Sequence, residues 1–146
     1  MALLAAVLMA AALWMLFFFL SSDGYVVEGG RYFVVDVAGE RFIIYVTERE
    51  TIRLAEENMR GLNSMFPIGE LEYGDGGFNK PWSWHLNSES VRMVEVAVEV
   101  CDGLPSHVEA DLKYWVEVVG RYCPWGGRIV ASADSVEELL GQASIK

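Results

Sequence analysis

Two runs of sequence decide the fold class: Arg31-Tyr32-Phe33-Val34-Val35-Asp36-Val37 and Arg41-Phe42-Ile43-Ile44-Tyr45-Val46-Thr47, joined by Ala38-Gly39-Glu40. Both are dense in β-branched and aromatic side chains, which fit a pleated, half-buried surface, and the glycine-containing link between them predicts a β-hairpin. The pattern changes period immediately afterwards. Thr47-Glu48-Arg49-Glu50 reads as a capping box in which Thr47 caps and Glu50 reaches back. Ile52, Leu54, Ala55 and Met59 then fall on one side of a helix expected to run to about Arg60 and to stop at Gly61.

Working outward from the hairpin, residues 62–80 hold Pro67 and several glycines and predict a loop with a short strand near residues 68–73. Residues 82–86 begin another strand. The longest alternation lies at 91–101, where Val94, Val96, Val98 and Val100 point one way and Met93, Glu95, Ala97, Glu99 and Cys101 the other, predicting a continuous strand. Gly103 ends it, Pro105 suits a first helical turn, and Ser106 with Glu109 offers a second capping box. Val108, Leu112, Trp115 and Val119 form one helical face ending at Gly120; residues 128–131 predict a closing strand, and Asp134 is expected to cap a short terminal helix. Hairpin, helix, further strands, helix and strand give an α+β class: an antiparallel-rich sheet with two main helices packed on it.

Upstream of the hairpin, residues 1–20 are without exception apolar and Ser21-Ser22-Asp23-Gly24 ends the run. A helix of that length spans roughly 30 Å, so residues 1–24 are either a signal peptide, with a small-x-small cut before Tyr25, or an N-terminal membrane anchor. Residues 25–146 are expected to form a single globular domain, large enough to bury a core. All 21 acidic and 11 basic residues lie after Leu20, so the net charge of −10 belongs to that domain. Such a surface repels nucleic acid and anionic headgroups, leaving small molecules, glycans or a protein as partners, and contact with a membrane only through residues 1–20. Cys101 and Cys123 are the only cysteines, and a lone pair in an exported chain predicts a disulfide and a secreted or extracytoplasmic location. That bridge would bring Trp125 and Asp102 into one neighbourhood, since bridged Cα atoms lie within about 7 Å.

The densest constellation of functional side chains is Asn79-Lys80-Pro81-Trp82-Ser83-Trp84-His85-Leu86 together with Glu95, Glu99 and Trp125. Three readings compete. The tryptophans can be packing, covering the sheet and the disulfide. They can be a binding surface, with aromatic faces stacking on a sugar or cation while Asn79, His85, Glu95 or Glu99 fix its polar groups. Or His85 can act as a base with Glu95 or Glu99, or beside Ser83, in a secreted hydrolase. The binding reading, non-enzymatic, is the one carried forward. His85 and His107 have no zinc-ligand spacing, and Glu70, Glu72 and Asp75 lack the spacing of a calcium loop, so neither a metal nor another cofactor is expected.

Residues 42–61, the Asn79 to Leu86 string, Glu99-Val100-Cys101-Asp102 and Cys123-Pro124-Trp125 resemble the BP-seventy-four amino-terminal domain family of small exported proteins. The matching stretches cover most of residues 33–130. The resemblance implies a secreted or surface-attached domain with a recurring Trp, His and disulfide neighbourhood, and carries over no activity, cofactor or catalytic residue. The chain departs from the family pattern after Cys-Pro-Trp, where Gly126-Gly127-Arg128 stands in place of a Ser and Arg.

Overall fold

The computed structural model describes residues 29–143; the apolar leader and its expected cleavage or anchoring lie outside the described residues. The hairpin forms as expected. Strand β1 (Arg31–Val37) pairs antiparallel with β2 (Glu40–Val46) through the two-residue turn Ala38-Gly39, whose φ angles of 53° and 92° match the left-handed turn that follows strand twist. Asp36 fixes that turn: one carboxylate oxygen accepts from the Gly39 amide and the other from Arg41, each at 3.0 Å. The Arg41 contact, then the Gly39 amide, holds the Asp36 carboxyl below its ordinary range.

Helix α1 (Arg49–Met59) follows, capped one residue later than the sequence suggested. Glu48 is the cap. Its Oε1 accepts from the Glu50 amide at 3.0 Å, and its Oε2 accepts from the amide and hydroxyl of Thr51, both at 2.7 Å. A carboxylate satisfies two orphan amides at the positive end of the helix, and Glu50 turns outward to Arg53 instead. The helix ends as expected: Gly61 (φ 75°) donates to Asn58 O and Leu62 to Glu57 O, the paired bonds of a left-handed glycine stop.

The strands divide into two sheets. In the first, β1 lies between β2 and β7 (Arg128–Ala133), with a bulge where the β7 register shifts between Val34 and Val35. In the second, β3 (Phe66–Tyr73) pairs antiparallel with β4 (Trp84–Leu86), β5 (Arg92–Val94) and β6 (Arg121–Tyr122). Their apolar faces share one core, with Phe33, Val35, Phe42 and Ile44 from the first sheet and Leu71, Trp84, Leu86, Met93 and Tyr122 from the second. Ile52 and Ala55 of α1 join that core. Ile43 and Ala133, on the opposite face of the first sheet, pack with Leu139 of α4 (Val136–Ala143). Ser135, whose hydroxyl accepts from the Glu138 amide at 3.2 Å, caps α4 in the place expected of Asp134.

Two expectations fail in instructive ways. The predicted strand over 91–101 survives only as β5, because Val94 pairs with Phe66, the first residue of β3, and nothing remains to pair with Glu95 and beyond. The chain before Phe66 is committed elsewhere, with Met65 O accepting from Asn58 at 2.7 Å. The second helix is also broken, into α2 (Pro105–Ala110), α3 (Leu112–Tyr114) and a wider π-helical turn, Trp115–Val119, that closes at Gly120 (φ 77°). Ser106 and Glu109 do not form a capping box. Ser106 donates from its amide and hydroxyl to Glu40, both at 2.7 Å, while Glu109 accepts from the amide and hydroxyl of Ser83 at 2.9 and 2.7 Å. These bonds tie α2 to both sheets.

Candidate functional site

Three residues expected to face a ligand are structural. Asn79 is fully buried: its Oδ1 accepts from the Ile43 amide at 2.7 Å and its Nδ2 donates to Trp84 O at 2.8 Å, leaving nothing for a ligand. Trp84 is 0% exposed, against Phe42 and Tyr122 at ring separations of 5.3 and 5.4 Å. Its indole N–H has no hydrogen-bond partner. Trp82 is half-buried, lies 6.0 Å from Trp84 and donates from Nε1 to Arg41 O at 2.8 Å. Alternation on β4 explains the first shift: Trp84 and Leu86 point into the core, so only His85 faces outward.

His85 is held on both sides. Nδ1 donates to Gly74 O at 2.8 Å, and Nε2 lies 3.0 Å from Oε2 of Glu72, its cross-strand partner on β3. Oε1 of Glu72 accepts from Asn87 at 2.7 Å, and the Phe78 ring stands edge-on to the imidazole at 5.7 Å. Gly76 permits this approach, since a Cβ there would lie 2.8 Å from the imidazole. With acceptors at both nitrogens, neither is free to take a proton from a substrate. Glu95 and Glu99, the expected partners of His85, stand exposed on the segment after β5 and make no ion pair with it. Ser83 gives its hydroxyl proton to Glu109, not to His85. Register on β3, not spacing along the chain, decided the partner.

The acidic loop is likewise occupied with its own geometry. Glu72 serves His85 and Asn87, and Asp75 accepts from the Gly77 amide at 2.8 Å. Among the described residues, no three His, Cys, Asp or Glu side chains cluster to hold a metal.

Trp125 differs from the other described tryptophans. The Cys101–Cys123 disulfide is present, with Cα atoms 5.2 Å apart, and the Cys123 amide donates to Cys101 O at 2.8 Å. Asp102 Oδ1 accepts from the Trp125 amide at 2.9 Å, which is the neighbourhood the bridge implied, and a turn closes from Gly127 N to Pro124 O. A rigid backbone therefore presents a ring that is 44% exposed. The ring borders a cleft of about 320 Å³ with Gly61, Asn63, Ser64, Met65 and Arg128.

Asn58, buried at the end of α1, organises that cleft. It donates to Asn63 Oδ1 at 3.0 Å and to Met65 O, and accepts from the Ile129 amide at 3.0 Å, joining helix, loop and β7. Asn63 donates in turn to Leu54 O. The Ser64 hydroxyl and the Arg128 guanidinium take part in no hydrogen bond or ion pair among the described residues, so they are the polar groups left for a ligand. Neither was singled out by sequence; Arg128 looked only like the start of a strand. A larger cleft, about 480 Å³, lies beside α4, with Val34, Ile43, Val130 and Leu139 in its lining and Arg41 and Lys80 among its charged groups. It presents no exposed tryptophan face.

No helix among the described residues is long and apolar enough to cross a membrane. Neither a curated protein nor a solved structure matches the chain. A family model, that of the BP-seventy-four N-terminal domain, does match, over residues 30–135, which takes in both sheets and the disulfide. That span is well over half of the 146 residues, so the chain belongs to the BP-seventy-four N-terminal domain family.

Proposed function

We propose that this is an extracytoplasmic, non-enzymatic binding domain whose Trp125 cleft takes a sugar ring. The observation that carries the reading is the contrast at Trp125: a tryptophan ring exposed beside free hydrogen-bonding groups while Trp84 and Trp115 are buried. An indole face stacks on the apolar face of a sugar, and Arg128 and Ser64 supply donors for its hydroxyls. The ring is mounted on a disulfide and an Asp102 bond, so little freedom is lost when a ligand docks. The apolar leader and the cysteine pair support export, and the acidic domain suits a neutral ligand.

Glycan-array binding of the wild type against Trp125→Ala and Arg128→Gln tests this. Trp125→Ala should weaken the best glycan at least about tenfold, which is about 1.4 kcal/mol. Arg128→Gln should weaken it less and alter the preference among glycans. Equal signal from wild type and Trp125→Ala would remove the platform. Trp84→Ala is the wrong probe, because it empties the core.

A further inference from the structure

Residues 95–98 carry the composition of a strand and have no strand to join. Val96 and Val98 are 83% and 62% exposed, and Val100, in the following 3₁₀ turn (Glu99–Cys101), is 60% exposed. No hydrogen bond among the described residues engages the main chain of Glu95, Val96 or Ala97. Val98 is already extended, at φ −76° and ψ 144°. The segment is tied at both ends, by β5 pairing at Val94 and by the disulfide at Cys101, so ordering it on a partner costs less than ordering a free loop. Unpaired main chain and exposed β-branched side chains are the features through which a sheet edge accepts an added strand.

Charge selects the partner. Glu95 and Glu99 are exposed, Asp102, Glu109 and Asp111 follow, and no Lys or Arg lies between Arg92 and Lys113. A second copy would bring the same carboxylates and a net charge of −10 against themselves. We infer that residues 95–98 receive an extended segment of another protein in which Lys or Arg alternates with β-branched residues, paired by main-chain hydrogen bonds. Its apolar side chains would cover Val96 and Val98, and its cations would meet Glu95 and Glu99.

The test uses the full chain and three fluorescent hexapeptides that alternate Lys with Val, Glu with Val, and Lys with Pro. The Lys-Val peptide should bind, more weakly as salt rises, and should slow amide exchange at residues 95–97. Val96→Pro, which removes an exposed amide donor, should weaken it by at least about fivefold. The double variant Val96→Ser with Val98→Ser should do the same and covers the case in which Val96→Pro fails to fold. Absence of Lys-Val binding overturns the inference. So does equal binding of the Lys-Pro peptide, which would show charge attraction without a ladder, or equal binding by a folded variant. A concentration-dependent dimer of the wild type that either variant abolishes would make a second copy the occupant, which also overturns it. Glycan binding through Trp125 is read separately and does not bear on this result.

Discussion

At the scale of single residues, polar side chains in this chain divide into those that hold the fold and those left over, and sequence context does not distinguish them. Asn79 sits in a string of Trp, Ser and His that invites a binding role, yet it is the fastener between the hairpin and β4. Both groups it satisfies belong to residues packed in the interior, Ile43 and Trp84. Asn79→Ala should therefore strand a buried amide and a buried carbonyl and lower stability by about 2–4 kcal/mol. Urea unfolding against Ser64→Ala, at a position whose hydroxyl bonds to nothing described, would measure the difference. A loss below about 1 kcal/mol in Asn79→Ala would mean that water replaces the tether and that the residue is available for another role. The tryptophans show the same limit: alternation placed Trp84 and Leu86 together, but nothing local to Cys123-Pro124-Trp125 tells that its ring points to solvent. That depends on the turn that Asp102 fixes from across the disulfide.

At the scale of elements, the hairpin and α1 were legible because their signals are local: a left-handed two-residue turn, a 3.6-residue apolar face and a glycine stop. The strand expected over 91–101 was not, because a strand's length is set by its neighbour. Alternation continues to Cys101, but β3 begins at Phe66 and the pairing ends with it. The cap of α1 gives an element-level prediction. Thr51's hydroxyl, then the amides of Glu50 and Thr51, hold the Glu48 carboxyl below its ordinary value of 4.5. The folded state thus binds this proton less readily than the unfolded chain. The stabilisation is present above pH 4.5 and is lost as pH falls through the lower folded value. Glu48→Ala should cost about 1 kcal/mol at neutral pH, and its gap from wild type should close on acidification. Unfolding curves stepped downward from neutral pH would follow the gap, and a gap that stays constant would show that packing, not the cap, was lost.

At the scale of the whole molecule, the disulfide joins the regions on which both proposals depend. Cys123 leads into the turn that presents Trp125, and Cys101 ends the segment that leaves β5. The bridge packs with Phe66, at the start of β3, so it also closes the second sheet's core. With 22 residues of separation, loop-closure entropy gives roughly 3 kcal/mol of stabilisation. A marginal domain feels that as a large share of its total. Replacing both cysteines by serine should lower the urea midpoint accordingly. Under conditions where the variant remains folded, it should also weaken the Trp125 ligand, because the Asp102 bond that orients the turn loses its anchor. The second effect separates two roles for the bridge. If the variant is less stable but binds as tightly as wild type, the disulfide only restricts the unfolded chain, and the turn from Pro124 to Gly127 holds Trp125 by itself. If affinity falls in the folded variant, and reduction of the wild type reproduces the fall, the covalent link is part of the binding surface, and activity of this domain depends on the oxidising compartment that its cysteine pair suggests.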